Sequence, residues 1–118
     1  MANHHLLGAG GEALAAQWLT AKGFVVLHMN WRHSYYEIDI IVSRGDVLHF
    51  VEVKTRRNNK FGEPEESVDH KKIMHLMKAG AQFHYLNPEW KRVQFDVLSI
   101  TVKAGNEVEY FFIEDVYV

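Results

Sequence analysis

Hydrophobic and polar positions change period several times along the chain, and the changes mark its elements. From about His5 to Lys22, Leu14, Ala15, Trp18, Leu19 and Ala21 recur at helical spacing, while Ala13, Ala15 and Ala16 favour helix and permit close packing. Gly8, Gly10 and Gly11 blur the start of this helix. Lys22 suits its last turn, and Gly23 suits the position that stops it. Phe24 to Asn30 reads as a strand of β-branched and large apolar residues, and Asn30-Trp31-Arg32-His33-Ser34 as a connection. A second strand covers Tyr36 to Ser43 and a third Val47 to Thr55, joined by a turn at Ser43-Arg44-Gly45-Asp46 in which Gly45 can take positive φ. The polar stretch from Arg56 to Glu66, with Gly62 and Pro64, reads as a loop. A second helix follows from about His70 to Leu86. Asp69 is its expected N-cap, Val68 and Ile73 its hydrophobic staple, and Ile73, Leu76, Met77, Gly80 and Phe83 its apolar stripe; Asn87-Pro88 ends it. Arg92 to Val102 is a fourth strand, Lys103-Ala104-Gly105-Asn106 a hairpin turn, and Glu107 to Ile113 a fifth strand.

The order α-βββ-α-ββ predicts an α/β fold with a central mixed five-stranded sheet flanked by helices. Three successive strands favour an antiparallel meander, and the second helix can cross over to a parallel pairing. Residues 1–118 show no internal repeat or linker, so a single domain is expected; a chain of this size buries roughly two-thirds of its unfolded surface.

Composition narrows the class. The apolar fraction of 47% and charged fraction of 24% are those of a soluble globular protein. There is no cysteine, which excludes disulfides and thiolate zinc sites and suits a reducing cytoplasm. No apolar run approaches the roughly 18 residues of a membrane span. Met1-Ala2-Asn3-His4-His5 lacks the basic and apolar regions of a signal peptide, so a cytoplasmic location without membrane partners is expected. The net charge of −2 argues against a nonspecific basic coat. Between Lys54 and Lys78, however, seven Lys or Arg stand against four Asp or Glu, which leaves room for a local basic surface.

The candidate chemistry comes from charges set in apolar strands. Glu37-Ile38-Asp39-Ile40-Ile41-Val42 and Phe50-Val51-Glu52-Val53-Lys54-Thr55-Arg56 flank one turn. Strict alternation puts Glu37, Asp39 and Ile41 on one face, with Ile38, Ile40 and Val42 on the other; Phe50, Glu52 and Lys54 share a face of the next strand. Buried charges cost several kcal/mol unless paired or bound to metal. Asp39 and Glu52 can converge on one ion, the Val53 carbonyl can add a ligand, and Lys54 can orient water or stabilise charge on a phosphorane. Glu12 shares a helix face with Ala15, Ala16 and Leu19, and so turns toward the body of the protein, where it can complete the shell. These oxygen donors suit Mg²⁺ or Mn²⁺. The competing reading is a same-face Glu52–Lys54 ion pair with Asp39 solvated nearby.

The sequence resembles the YraN-like family of small bacterial proteins and, more distantly, archaeal Holliday junction resolvases and restriction-endonuclease-like nucleases. The matching pieces are Gly11-Glu12-x-x-Ala15, Gly23-Phe24, Asn30-Trp31-Arg32, Glu37 to Ile41, Phe50 to Arg56, Phe61-Gly62, Pro64, Ser67-Val68, Lys71 or Lys72, Ala81 and Phe95-Asp96-Val97. Tyr36 replaces a usual Gly, and Gln94 a usual Arg. The resemblance implies a restriction-endonuclease-like fold. It also implies a metal-dependent active site made of Glu12, Asp39, Glu52 and Lys54, and hydrolysis of phosphodiesters in DNA, including branched or structured DNA. A non-catalytic nucleic-acid-binding module of a repair or recombination complex is the alternative.

Other residues have two readings each. Arg56, Arg57, Lys60, Lys71, Lys72 and Lys78 can contact nucleic-acid phosphates or form a solvated surface. Ser67 can bind phosphate or cap a turn. Glu37 can join the site, support it, or pair with a basic neighbour, and Asp96 fits a structural hydrogen bond. Trp31, Tyr35 and Tyr36 fit base stacking or packing at a strand junction. The histidines show no H-x-x-x-H pattern and are expected at the surface. Tyr110, Phe111 and Phe112 put aromatics on both faces of the last strand, which fits a homodimer surface or a core with its cover.

Overall fold

The computed structural model describes residues 9–57 and 70–117. Helix α1 (Ala9–Ala21) leads into strands β1 (Val25–His33), β2 (Tyr36–Arg44) and β3 (Val47–Arg57). Helix α2 (His70–Leu86), strand β4 (Arg92–Val102), a short 3-10 turn (Ala104–Asn106) and strand β5 (Val108–Ile113) follow. The expected helix start before Ala9, Lys60, the loop residues Gly62 and Pro64, Ser67, Val68, Asp69 and Val118 lie outside the described residues.

The strands form one mixed five-stranded sheet in the order β1-β2-β3-β4-β5. β1, β2 and β3 form the expected antiparallel meander, β3 and β4 pair in parallel across the α2 crossover, and β5 returns antiparallel to β4. This is the α/β, α-βββ-α-ββ arrangement of the restriction-endonuclease-like fold. Its two cores lie on opposite faces. α1 brings Ala15 and Leu19 against Phe24, Ile40, Val42, Val51, Leu98 and Ile100. α2 brings Leu76, Ala79 and Phe83 against Ile38, Ile41, Leu48 and Phe50. Ala79 is buried while Met77 is only half-buried, a small shift from the expected stripe.

Local signals explain the boundaries. Gly23 takes φ +96°, its N–H donates to Thr20 O, and the Phe24 N–H donates to Leu19 O. This left-handed cap stops α1 where expected. Gly80 lets α2 press onto the sheet: a Cβ there would lie 2.6 Å from Phe95 Cε1 and 2.8 Å from Phe50 Cδ2.

Two strands run further than their sequences suggest. β1 continues through Trp31, Arg32 and His33, which pair with Ile38, Glu37 and Tyr36, so only Ser34 and Tyr35 make the turn. β3 continues through Arg56 and Arg57, which pair with Thr101 and Val102 of β4. A long partner strand supplies hydrogen bonds that offset weak local strand preference.

One expected face assignment is wrong in part. Ile38 does not join Ile40 and Val42; it packs with Ile41 and Phe83 in the α2 core. On β1, His28 and Trp31 both set their rings against Phe83, at 5.4 and 5.2 Å. The β1–β2 ribbon therefore twists strongly toward α2, as a two-stranded ribbon can once its third partner ends. The β2–β3 register runs only from Arg44↔Val47 to Ile40↔Val51. Beyond Ile40 the ribbon leaves β3, and a gap opens at Asp39.

Candidate functional site

The gap becomes a cavity of about 430 Å³ lined by Glu12, Glu37, Asp39, Glu52, Val53, Lys71, Lys72 and His75. Four elements supply these residues. Asp39 is placed by the departure of β2 from β3. Had β2 stayed in register, a backbone carbonyl would have met the Val53 N–H. Instead Val53 N donates to Asp39 Oδ2 at 2.8 Å. The N–H and C=O of one strand residue point to the same side, so the Val53 carbonyl also faces the gap. The carboxylate thus replaces a missing ladder partner and is fixed in place by it.

Glu12 is placed by its neighbour. A Cβ on Gly11 would lie 2.4 Å from Thr55 Cγ2, so only glycine allows this turn of α1 to lie so close to β3. The next residue, Glu12, is half-buried and reaches the cavity from the α1 side. Glu52 comes from the opposite face of β3, which also carries Phe50, Lys54 and Arg56. Lys71, Lys72 and His75 come from the first turns of α2, at i, i+1 and i+4, and close the far wall.

Burial dominates the electrostatics at Asp39, and like charge adds to it. Burial raises the pKa of Asp39 from its ordinary 3.8; the Val53 N–H opposes this, Glu12 and Glu37 raise it further, and Lys72 lowers it. Three carboxylates therefore repel across a half-buried space with a lysine as partial counter-charge. Glu37 also pairs with Arg32, its cross-strand partner, at 3.4 Å.

The donor set bears on a metal in two ways. Among the described residues, no three His, Cys, Asp or Glu side chains are arranged to hold an ion. The chemistry of the set still fits a hard cation: Asp39 and Glu52 carboxylates, the Val53 carbonyl and Glu12 are all oxygen donors, and their mutual repulsion is what a divalent cation offsets. Mg²⁺ commonly takes one or two carboxylates and keeps several waters.

The remaining candidates divide clearly. Lys54, half-buried, sits beyond Glu52 on the same face of β3, in register with Ser99 of β4. Arg56 and Arg57 lie further along β3 and do not line the cavity, and Lys78 is exposed on α2. Trp31 and Tyr36 pack against the α2 core, while Tyr35 is 90% exposed in the turn. Tyr110 and Phe112 pack on the α1 core, with Trp18 stacked on Tyr110 at 5.5 Å, and Phe111 stands exposed on the other face.

Two histidines, His49 and His84, differ from the surface expectation; His84 is half-buried against the Trp90 carbonyl. His75 is exposed as expected and also lines the cavity, where its spacing from Lys71 and Lys72 on α2 is the available signal. His49 is buried at 3% exposure, and its Nδ1 donates to Asp96 Oδ2 at 2.7 Å. Asp96 also accepts from Gln94 Nε2 and from the Asp115 N–H, at 3.0 and 2.9 Å, so it serves as a structural anchor for the C-terminal tail.

Comparison with known proteins agrees with this picture at the level of family. The model of "Uncharacterised protein family UPF0102" matches residues 11–100, from the glycine that places Glu12 into β4. A UPF0102 protein of Syntrophomonas wolfei is 44% identical over 100 residues, covering 84% of this chain and 87% of its own. One of Dictyoglomus turgidum is 42% identical over 108 residues, covering 90% of this chain and 91% of its own. One of Rhodococcus opacus is 38% identical over 118 residues, covering 99% of this chain and 100% of its own. The chain belongs to UPF0102, the YraN-like family to which its motifs point.

Proposed function

We propose that this protein is a metal-dependent DNA endonuclease that hydrolyses phosphodiesters, with branched or otherwise structured DNA among its substrates. The observation that carries this reading is the cavity at the β2–β3 divergence, where Asp39 meets Glu12, Glu37 and Glu52 across from Lys71 and Lys72. Glu12, Asp39, Glu52 and the Val53 carbonyl would hold Mg²⁺ or Mn²⁺. Such an ion polarises a phosphate oxygen and acidifies a bound water. The Val53 N–H keeps the Asp39 carboxylate aimed into the gap. Lys54 orients the attacking water and stabilises charge on the phosphorus centre. Lys71 and Lys72 neutralise phosphate oxygens on the opposite wall.

The test is cleavage of a panel of Holliday junctions, flaps, single strands and duplexes with Mg²⁺ or Mn²⁺. The wild type cuts at least one substrate, and Asp39→Ala and Glu52→Ala lower that rate by about a hundredfold or more. Unchanged cleavage by both variants overturns the site assignment.

A second reading has its own support. Lys71 and Lys72 on the cavity wall can bind phosphates with no reaction at the carboxylates, as in a nucleic-acid-binding module that does not cut. That reading expects salt-sensitive DNA binding and no cleavage with any divalent metal.

A further inference from the structure

Strand β1 contains one residue in a conformation foreign to strands. Of the described non-glycine residues with positive φ, only Asn30, at +55°, lies inside a strand; Ser34, at +59°, belongs to the β1–β2 turn. Left-handed backbone is sparsely populated by residues with a side chain, and asparagine is among the few that tolerate it. Such a conformation persists only where the surrounding fold imposes it, and it gathers at functional sites.

The β1–β2 register passes from Met29↔Ile40 to Trp31↔Ile38, so Asn30 stands opposite Asp39. Among the described residues, the ladder skips this pair. On its other side, β2 pairs with β3 only as far as Ile40↔Val51. Asp39 therefore has no ladder partner in either described neighbour. The faces of β2 change at the same residue. Ile40 and Val42 pack in the α1 core, whereas Ile38, two residues before Ile40, packs in the α2 core. The reversal falls on Asp39, whose Oδ2 accepts from the Val53 N–H at 2.8 Å. The left-handed residue, the skipped pair and the reversed face thus coincide at one level of the ribbon. As in a β-bulge, a left-handed residue in one strand of an antiparallel pair bends the strand, raises the local twist and re-aims a side chain.

We propose that Asn30 is a positioning residue for the carboxylate cavity: its left-handed backbone bends the β1–β2 ribbon at Asp39 and swings that carboxylate out of the ladder onto the Val53 N–H. No described residue of β1 lines the cavity, so the strand acts there through Asp39. The consequence for a metal ion rests on the reading of Asp39 as a ligand; the seating of the carboxylate does not. The role belongs to the backbone, which makes it separable from the asparagine side chain. Asn30→Gly keeps the left-handed conformation accessible, whereas the β-branched side chain in Asn30→Val favours an extended strand.

The experiment uses the full chain as wild type, Asn30→Gly, Asn30→Val and, as a milder change, Asn30→Ala. The first readout is amide hydrogen exchange in EDTA, with Val53 compared against Phe50, which sits in the β2–β3 and β3–β4 ladders. Relative to Phe50, Val53 exchanges about tenfold faster in Asn30→Val, by a smaller factor in Asn30→Ala, and as in wild type in Asn30→Gly. The second readout is Mn²⁺ affinity by calorimetry, which falls about tenfold or more in Asn30→Val and is kept in Asn30→Gly. A residue that served stability alone would speed Val53 and Phe50 together, and glycine would not rescue it. That result overturns the proposal, as does equal loss of Val53 protection in Asn30→Gly and Asn30→Val. Mn²⁺ binding by wild type that is undiminished in Asn30→Val overturns it too. If Asn30→Val does not fold, the contrast between Asn30→Ala and Asn30→Gly decides. A wild type that binds no Mn²⁺ defeats the metal reading alone, because the exchange comparison is made without metal.

Discussion

Asp39 carries a conflict between stability and chemistry. Its carboxylate is held by one backbone N–H, yet burial and the charges of Glu12 and Glu37 raise its pKa above 3.8. The folded chain therefore binds this proton more tightly than the unfolded chain. Its contribution to stability is fully present below pH 3.8 and is lost as pH rises through the raised folded value. At neutral pH the charged form is a burden that Asp39→Asn removes while keeping an acceptor for the Val53 N–H. This variant is expected to be more stable than wild type at pH 7 by about 1 kcal/mol in urea unfolding. The difference shrinks as the pH is lowered toward the ordinary carboxylate range. Equal or lower stability at pH 7 would show that repulsion at Asp39 is already neutralised. Asp96 is the opposite case. It is fully buried and satisfied by His49, Gln94 and the Asp115 N–H. Asp96→Ala leaves buried donors without an acceptor, and a loss of about 3–5 kcal/mol is expected. Hydrogen exchange at Asp115 should quicken with it, since that amide loses its acceptor.

At the level of elements, the two helices are held to the sheet by missing side chains. Gly80 sits against the rings of Phe50 and Phe95, and Gly11 against the Thr55 methyl. Gly80→Ala pushes α2 off a packed aromatic surface, at a cost of about 1–3 kcal/mol in chemical denaturation. Gly11→Ala acts on Thr55, a branched residue with little freedom to move, and displaces the turn that carries Glu12. The two variants should separate by readout. Gly80→Ala loses mainly stability, and Gly11→Ala loses more of whatever activity depends on Glu12 than its stability loss explains. Equal activity losses in both, after correction for the folded fraction, would remove Glu12 from the chemistry. The β1–β2 ribbon belongs to the same scale. Its turn toward Phe83 opens the gap that Asp39 enters.

Taken whole, the molecule sets cations beside its carboxylate cavity in a chain whose net charge is −2. Lys71 and Lys72 face the carboxylates across the cavity, and Lys54, Arg56 and Arg57 follow along β3. DNA binding confined to this region neutralises few phosphates. The logarithm of the association constant should fall with the logarithm of salt concentration with a slope of about −3 to −5. A slope near −10 would require a far larger interface, and a slope near zero would exclude phosphate contact here. No described helix is long and apolar enough to cross a membrane.

Much of this is legible in the chain itself. Periodicity placed both helices and all five strands, because one apolar face per element is enough to set its type. Gly23 marked the end of α1, since its left-handed conformation is locally determined. The unusual charges Asp39, Glu52 and Lys54 stood out because apolar strands have few reasons to carry them. What depends on distant residues was not legible. Strand lengths at His33 and Arg57 follow from partners far along the chain. The burial of His49 depends on Asp96, 47 residues away. The break in alternation at Ile38 comes from packing against α2, and His75 enters the cavity only because α2 crosses over that gap. The sequence thus determined which faces are apolar and which charges are out of place. Only the tertiary structure decided which of those charges meet, because that depends on where β2 leaves β3.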